Sequence, residues 1–438
     1  MAERPQGTSS RDVILGRANE TDHIIKLGDE ERCSGMYILG RPGRGKTALM
    51  KKIIEQDMRN GHGVFFLDPH GDAVEELQTS IPSHRKDDVI VLDPRDSEYA
   101  FGMNLLACPD VTSLNVREDT FDQAYDIFAK LFADPQKGYL DVWLDKFLRN
   151  SFYPLLLNGY TITEIPLFLN DRDFRERLLR HPLFATRYRG VEQFWHTEYA
   201  ELDPRDQQRE IGSTLTRLGS FDRPYVQDIV GQSNTTLNFT DMMNKGKILF
   251  VKLSEALAAE QRRIIGTMLV SSLVHAVVER EQIPEKDRRH FCIFVDEFQN
   301  FAFHNLASSN DFTVLFTQAR KYGIATTIAH QERYGQFADN KSIAGATDAA
   351  VIKIFFRPSS HDAQEQAVEF AARATPTKIH REAELVLSPH PVEDIWDRGH
   401  INEKVMEIRN KYFWISPFAS SGSNCRNFKL PIESSTQS

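Results

Sequence analysis

The chain has 438 residues, of which 41% are hydrophobic and 26% are charged, and its formal net charge is −9. This composition is typical of a folded globular protein and excludes a chain that is disordered over most of its length. The acidic balance argues against a basic protein that coats nucleic acid, although a ring can concentrate basic residues at its centre while its outer surface stays acidic.

Cysteine spacing and hydropathy both indicate a cytoplasmic setting. The four cysteines lie far apart and form no Cys-x-x-Cys or Cys/His cluster, so neither a zinc site nor a disulfide framework is predicted. The best apolar run, Ile264 to Val278, is shorter than the roughly 20 residues that span a bilayer. We therefore expect a cytoplasmic protein without a transmembrane segment, which reaches the inner membrane only through partners.

The first hundred residues alternate between strand and helix patterns. After an N-terminal segment (1–35) with a short strand at Val13 to Leu15, the apolar run Met36 to Leu39 predicts a strand. A glycine-rich loop follows, and apolar residues at helical spacing predict a helix over Thr47 to Met58. This order of strand, loop and helix begins an α/β domain.

Two further apolar runs, GVFFL at 63–67 and VIVL at 89–92, are rich in β-branched and aromatic residues. They are typical of strands buried on both faces, as in a parallel sheet. Alternation with helices then predicts a mostly parallel sheet whose carboxyl ends carry the functional site.

The pattern changes between residues 111 and 240, where strand-like runs disappear and apolar residues recur at helical spacing. We predict an all-α insert domain there. Strand patterns return afterwards, at Lys247 to Leu253, Phe291 to Val295, Ile324 to Ala329, Ala350 to Phe356 and Tyr412 to Ile415, with helices at Ala259 to Glu279 and Asp311 to Tyr322. The predicted domains are thus 36–110 and 241–416 for the nucleotide-binding domain, 111–240 for the insert, and 417–438 for a flexible, Ser-rich tail.

The octet GRPGRGKT at 40–47 fits the phosphate-binding pattern GxxxxGK[ST]. Its glycines let the backbone turn tightly round a phosphate, Lys46 reaches the β and γ phosphates, and the Thr47 hydroxyl binds Mg²⁺ at a helix N-terminus. ATP and Mg²⁺ are therefore the expected cofactors. The predicted nucleotide-binding residues are Gly40, Arg41, Pro42, Gly43, Arg44, Gly45, Lys46, Thr47 and Ala48.

Acidic and amide side chains at the ends of two later strands complete this chemistry. Asp296 is predicted to hold Mg²⁺ together with Thr47, and Glu297 to orient or deprotonate the attacking water. Gln331, after the strand that ends in Ala329, is predicted to hydrogen-bond the γ-phosphate or the water. An ordinary acidic turn after a buried strand is the alternative interpretation of the carboxylate pair.

Three arginines are more ambiguous. Arg41 and Arg44 either contact phosphate or a neighbouring subunit, or project into solvent. Arg320 either stabilises a helix C-terminus or, in a ring, reaches the γ-phosphate of the neighbouring subunit as a catalytic finger.

Taken in order, several of these motifs resemble the HerA/FtsK superfamily, and most of all its conjugative coupling branch of TraG/TraD-type ATPases. They are GRPGRGKT, the turn DPHGD, the strand VIVLDP, Met103 to Leu106, GKILFVKLS, FVDEFQNF, and Gln318 to Gly323 leading to AHQ. The resemblance covers about residues 12 to 400. It implies a RecA-like P-loop core, a homo-hexameric ring, DNA in the pore, and ATP sites between subunits.

The favoured function is an ATP-driven DNA translocase or coupling ATPase acting on single- or double-stranded DNA in conjugative transfer or type IV secretion. A relaxase or secretion-channel ATPases are its expected partners. One alternative is a nucleotide-gated platform that recruits a relaxase or a secreted protein through the helical insert. A second is a HerA-like motor that works with a nuclease in DNA end processing. A relaxase or a nuclease among the genomic neighbours would separate conjugative transfer from end processing.

Overall fold

The computed structural model describes residues 11–17, 24–96, 98, 101–134, 137–301, 311–333, 345, 347–356, 362, 413–415 and 426–428. The strands in chain order are β1 Val13–Arg17, β2 Ile24–Leu27, β3 Met36–Gly40, β4 Gly63–Asp68, β5 Val89–Leu92, β6 Ile248–Lys252, β7 Phe291–Val295, β8 Ile324–His330, β9 Ile352–Phe356, β10 Phe413–Ile415 and β11 Arg426–Phe428. The helices are α1 Asp29–Arg32, α2 Lys46–Asn60, α3 Asp72–Thr79, α4 Leu114–Phe132, α5 Val142–Leu157, α6 Ile165–Asn170, α7 Arg172–Leu179, α8 Arg189–Gln193, α9 Pro204–Leu218, α10 Pro224–Val230, α11 Phe239–Lys245, α12 Ala259–Glu279 and α13 Asp311–Thr317.

Nine strands form one sheet in the order β11-β10-β9-β3-β8-β7-β4-β6-β5, and β1 and β2 form a separate antiparallel pair. The seven strands from β9 to β5 are mutually parallel. Only β10 and β11 pair antiparallel, at one edge. The predicted α/β fold with a mostly parallel sheet is therefore confirmed.

The strands that pack at the centre of the sheet alternate their side chains between two apolar cores. Met36 and Ile38 of β3 face the core that contains α2, α3 and the β1–β2 pair. Tyr37 and Leu39 face the other core, which continues without interruption into the helices between β5 and β6. The sheet is thus covered on both faces, as parallel sheets require.

All helices from α4 to α11 lie between β5 and β6 in the chain, where the all-α insert domain is predicted. Their buried residues belong to the same core as one face of the sheet. The buried apolar residues of the long helix α12 belong to the same core, and from Ile264 to Val277 the helix is buried around most of its circumference, which suits the apolar sequence of that stretch. Within the described ranges, no helix combines the length and apolar character needed to cross a bilayer.

The structure differs from the sequence predictions at a few elements. β5 is an edge strand, so Ile90 and Val91 are 41% and 40% exposed, and the prediction that it is buried on both faces is wrong. The predicted helix Asp311 to Tyr322 ends at Thr317 and continues as a 3₁₀ turn. The structure also contains β2 and the short helices α1 and α3, which the apolar pattern did not predict. Of the pair β1–β2, only β1 was predicted.

The predicted flexible tail, 417–438, contains β11, which continues the sheet by pairing with β10. A strand forms there because the backbone groups of an edge strand are free to pair with a further strand. The rest of that tail lies outside the described residues, as do residues 1–10 and most of 357–412.

Candidate active site at the carboxyl edge of the sheet

The glycine-rich loop joins the carboxyl end of β3 to the start of α2. Gly43 and Gly45 adopt φ values of 68° and 104°, which L side chains rarely adopt. Gly40 has a different constraint, because a Cβ there would lie 2.2 Å from the carbonyl oxygen of Phe356 on the neighbouring β9. The loop therefore turns directly into the N-terminus of α2, where backbone N–H groups attract phosphate.

Lys46 is the first residue of α2, and only 5% of it is exposed. Its Nζ donates a hydrogen bond of 2.8 Å to the Gly40 carbonyl and lies 3.7 Å from Oε1 of Glu297. The ammonium group is therefore held inside the loop by one carbonyl and one carboxylate, at the place where a phosphate chain would lie on the helix N-terminus.

The side chains of Thr47 and Asp296 meet, although they are 249 positions apart in the chain. The Thr47 hydroxyl donates to Oδ2 of Asp296 at 2.7 Å. Burial raises the pKa of the Asp296 carboxyl, while the Thr47 hydrogen bond acts in the opposite direction. A hydroxyl and a buried carboxylate are hard oxygen ligands, and a divalent cation would stabilise the charged carboxylate, so this pair fits Mg²⁺.

Glu297 adopts φ 45° and ψ 50°, and it is the non-glycine residue with positive φ among the residues that the structure describes. Side chains hold its carboxylate on both oxygens: Gln331 donates to Oε1 at 2.9 Å and Gln299 to Oε2 at 2.7 Å. Its backbone N–H donates to Asp296. Strained backbone of this kind persists where surrounding contacts fix it, and it concentrates at functional sites.

The order of the strands explains why these residues meet. β8 lies between β3 and β7, and all three are parallel. Their carboxyl ends carry the glycine-rich loop, Gln331 and the Asp296-Glu297 pair, so the three groups lie side by side at one edge. The structure thus brings together Lys46, Thr47, Asp296, Glu297 and Gln331.

Two residues of this edge have no place in the sequence predictions. Gln299 follows the carboxylate pair closely enough for the motif FVDEFQNF to have indicated it. His330 is fully buried beside the ring of Phe298, and its Nδ1 lies 3.1 Å from the Tyr37 hydroxyl. Burial lowers the pKa of His330 to about 3, so its imidazole is neutral near pH 7.

The predicted arginines lie elsewhere. Arg41 and Arg44 are exposed on the loop, as is Ala48 on the first turn of α2. Arg320 precedes β8, so it lies at the opposite edge of the sheet, about 20 Å from Gln331 along a seven-residue strand. It cannot reach the nucleotide site of its own chain. No described carboxylate pairs with its exposed guanidinium.

The DPHGD turn at the end of β4 is held by its own first residue. Asp68 accepts hydrogen bonds from the backbone N–H groups of His70, Ala73 and Val74 and so caps α3. His70 is exposed and contacts Glu255. These contacts are those of a rigid turn.

Comparison with known proteins gives one family and several solved structures of one fold. A family model described as the central domain of the helicase HerA matches residues 34–272. No curated protein matches the chain.

Among solved structures, the chain is similar to the bacterial conjugative coupling protein TrwBdeltaN70, with 14% identity, a TM-score of 0.60, and coverage of 98% of this chain and 89% of that one. TrwB solved with ADP and Mg²⁺ has 14% identity and a TM-score of 0.58 over 94% of this chain and 89% of that one. VirB4 of Thermoanaerobacter pseudethanolicus has 12% identity and a TM-score of 0.62, and covers 98% of both chains. At these identities the likeness shows the fold, a RecA-like P-loop core.

Proposed function

We propose that this chain, which belongs to the family of the HerA helicase central domain, moves DNA as a ring-shaped motor in conjugative transfer or type IV secretion. The chain is a P-loop ATPase, with ATP and Mg²⁺ as its cofactors. The observation that carries the proposal is the match of residues 34–272 to the central domain of the helicase HerA. The convergence of Lys46, Glu297 and Gln331 around one loop supports the ATP hydrolysis that such a motor needs. TrwB, which shares this fold, is described as a plasmid coupling protein.

Hydrolysis can be assigned to the residues of this edge. The loop N–H groups and Lys46 bind the phosphates, and Gln331 orients a water molecule against the γ-phosphorus. Glu297 takes a proton from that water as the new P–O bond forms and the bond to the bridging oxygen of ADP breaks. Thr47 and Asp296 would hold Mg²⁺, which would supply positive charge to the phosphate oxygens.

The contact between Lys46 and Glu297 suggests how ATP binding switches this site on. The Lys46 ammonium lies 3.7 Å from the Glu297 carboxylate, and the two charges neutralise each other. When Lys46 turns to the phosphates of ATP, Glu297 loses that partner and keeps its hydrogen bonds to Gln331 and Gln299. Its carboxylate is then available to the attacking water.

The position of Arg320 supports an assembly of several subunits. An exposed arginine that pairs with no described carboxylate and lies far from its own loop suits a role in the site of a neighbour. We assign it to the γ-phosphate of the adjacent subunit in a homo-hexamer, where such fingers contribute about 10³- to 10⁵-fold in rate. Arg320→Ala should then slow ATP hydrolysis without weakening ATP binding, whereas Arg172→Ala, on an exposed position of α7, should change neither.

The test combines turnover with particle mass. The purified chain should hydrolyse ATP faster with single- or double-stranded DNA at low salt, and ATP should raise its mass to that of a hexamer. Lys46→Ala should lose nucleotide binding and all of the stimulation. An ATPase that neither binds DNA nor responds to it would refute the motor and leave a P-loop ATPase of another purpose.

The helical segment favours a second role alongside the first. It exposes large apolar side chains, with Tyr139 at 59%, Val142 at 60% and Leu167 at 46%. Exposed apolar groups of this kind suit a protein partner such as a relaxase or a secretion-channel ATPase, through which the chain would also reach the inner membrane. Recruitment alone would be favoured if Tyr139→Ser with Val142→Ser abolished partner capture while DNA failed to stimulate the ATPase of the unaltered chain.

A further inference from the structure

Two histidines and one aspartate converge at the amino edge of the sheet, opposite the nucleotide site. Asp29 is the first residue of α1, His62 precedes β4, and His290 precedes β7. Because β4 and β7 are neighbouring parallel strands in which Gly63 pairs with Phe291, the two histidines stand at matching positions just before the paired segments. The three residues come from three separate parts of the chain, so the fold alone brings them together.

The three side chains point their ligand atoms at one another. Nε2 of His62 lies 3.3 Å from Oδ1 of Asp29, Nε2 of His290 lies 3.8 Å from the same oxygen, and all three atoms fall within 4.8 Å of each other. Ligand atoms of a tetrahedral zinc ion, at bonds of about 2.0–2.1 Å, are separated by about 3.3 Å. Small side-chain movements would therefore place all three ligand atoms around a single ion.

None of these three atoms has a hydrogen-bond partner among the described residues, although each is shielded from solvent. The side chain of His62 is only 3% exposed and that of His290 only 12%. Buried polar atoms are nearly always hydrogen-bonded, because leaving one unsatisfied costs about 1–3 kcal/mol. Three unsatisfied atoms that face one point can share a common partner, and a divalent cation would supply it.

A second contact of His290 fixes which of its two ring nitrogens faces the cluster. The other ring nitrogen of His290, Nδ1, lies 3.7 Å from Sγ of Cys33. The sulfur can accept a hydrogen bond from Nδ1–H, which leaves Nε2 free to bind a metal ion.

Several arginines lie near the three side chains, and their positive charge does not prevent a cation from binding. Arg32 is paired with Asp57 through two hydrogen bonds of 2.5 and 2.7 Å, so its charge is compensated. Arg280, whose Nη2 donates to the backbone carbonyl of Arg289, and Arg11 add further positive charge near the three side chains. These cations reduce the affinity for a metal ion, while the Asp29 carboxylate contributes the negative charge that offsets it.

We infer that Asp29, His62 and His290 bind one divalent transition-metal ion, with zinc as the preferred ion. Two imidazoles and one carboxylate form a donor set that suits zinc, whereas Mg²⁺ and Ca²⁺ prefer oxygen alone. Asp29 is 28% exposed, so water can fill the fourth position. The ion joins α1 to the starts of β4 and β7 and stabilises the edge remote from ATP.

The experiment measures zinc on the full chain after treatment with a chelator and dialysis against micromolar free zinc. We expect one zinc per chain by mass spectrometry of the metal, and the visible d–d absorption of tetrahedral cobalt when Co²⁺ replaces zinc. Asp29→Asn and His290→Gln should each weaken zinc binding by at least about a hundredfold. The controls His196→Gln, an exposed histidine beside Glu176, and Asp296→Asn, in the nucleotide site, should retain it.

Thermal melting separates a lost ligand from a lost fold. Zinc should raise the melting temperature of the unaltered chain by about 2 °C or more and leave those of Asp29→Asn and His290→Gln unchanged, while all three should melt alike in chelator. Less than stoichiometric zinc on the unaltered chain, or equal zinc on Asp29→Asn, would overturn the inference. ATP hydrolysis is not needed for either measurement, so the outcome is independent of the proposed motor function.

Discussion

Replacement of Glu297 by Gln separates nucleotide binding from hydrolysis, and the structure predicts opposite effects on the two. The amide keeps the size of the side chain and one oxygen that can accept a hydrogen bond from Gln331 or Gln299. It removes the carboxylate that lies 3.7 Å from Lys46 and would accept the proton of the attacking water.

Two magnitudes follow from these contacts. Loss of a general base lowers turnover by about 10²- to 10⁴-fold, or about 2.7–5.4 kcal/mol in activation free energy. At 3.7 Å and an effective dielectric constant of about 20, the attraction between Lys46 and Glu297 is about 4.5 kcal/mol before the cost of removing both charges from water. That cost offsets most of the attraction. We therefore expect Glu297→Gln to bind ATP about threefold to thirtyfold more tightly than the unaltered chain, because Lys46 no longer has to leave a carboxylate to reach the phosphates.

The assay pairs an equilibrium titration with a fluorescent ATP analogue and a single-turnover measurement of phosphate release, both with Mg²⁺. Glu332→Gln is the matched control, since it removes an exposed carboxylate one residue from Gln331 without a contact to Lys46. Turnover of Glu297→Gln within threefold of the unaltered chain would refute the role of general base. Slow turnover with weaker ATP binding would refute the competition between Glu297 and phosphate for Lys46.

Three other changes test the fold around the site. Gly40→Ala should lower the free energy of unfolding by about 1–3 kcal/mol, because the added Cβ would lie 2.2 Å from the carbonyl oxygen of Phe356. Both the melting temperature and the affinity for ATP should fall. Gly212→Ala is the control, because a Cβ at this position of α9 meets open space and should not destabilise the chain. Arg32→Met should lower the free energy of unfolding by about 3–5 kcal/mol, because it leaves the Asp57 carboxylate buried without its partner. The double variant with Asp57→Leu should recover part of the lost melting temperature, because it removes that unpaired charge. The pKa of His330 is about 3 in the folded chain and about 6.5 when unfolded, so below pH 6.5 the unfolded chain binds a proton that the folded chain does not. This group therefore lowers the free energy of unfolding by up to about 1.4 kcal/mol for each pH unit as the pH is lowered from 6.5 towards 3. The melting temperature of His330→Gln should fall less steeply over that range than that of the unaltered chain. Equal falls would contradict the assignment.

The local chemistry of the ATP site could be predicted from the sequence. Phosphate binding needs glycines, a lysine and a hydroxyl within eight consecutive residues, and the octet at 40–47 contains all of them. The carboxylates Asp296 and Glu297 follow a short apolar run, which indicates the end of a buried strand. The parallel sheet itself follows from apolar runs that alternate with helices. These signals are local, and they were available without any knowledge of tertiary contacts.

The order of the strands is what the tertiary structure decided, because strand order depends on how distant segments pack. Only the insertion of β8 between β3 and β7 brings Gln331 to Glu297, and the position of β5 at the edge exposes a strand whose sequence suits a buried one. The same order decides the second site. Cysteine spacing predicted no zinc site, yet Asp29, His62 and His290 meet because β4 and β7 are neighbours, a fact that no spacing along the chain contains.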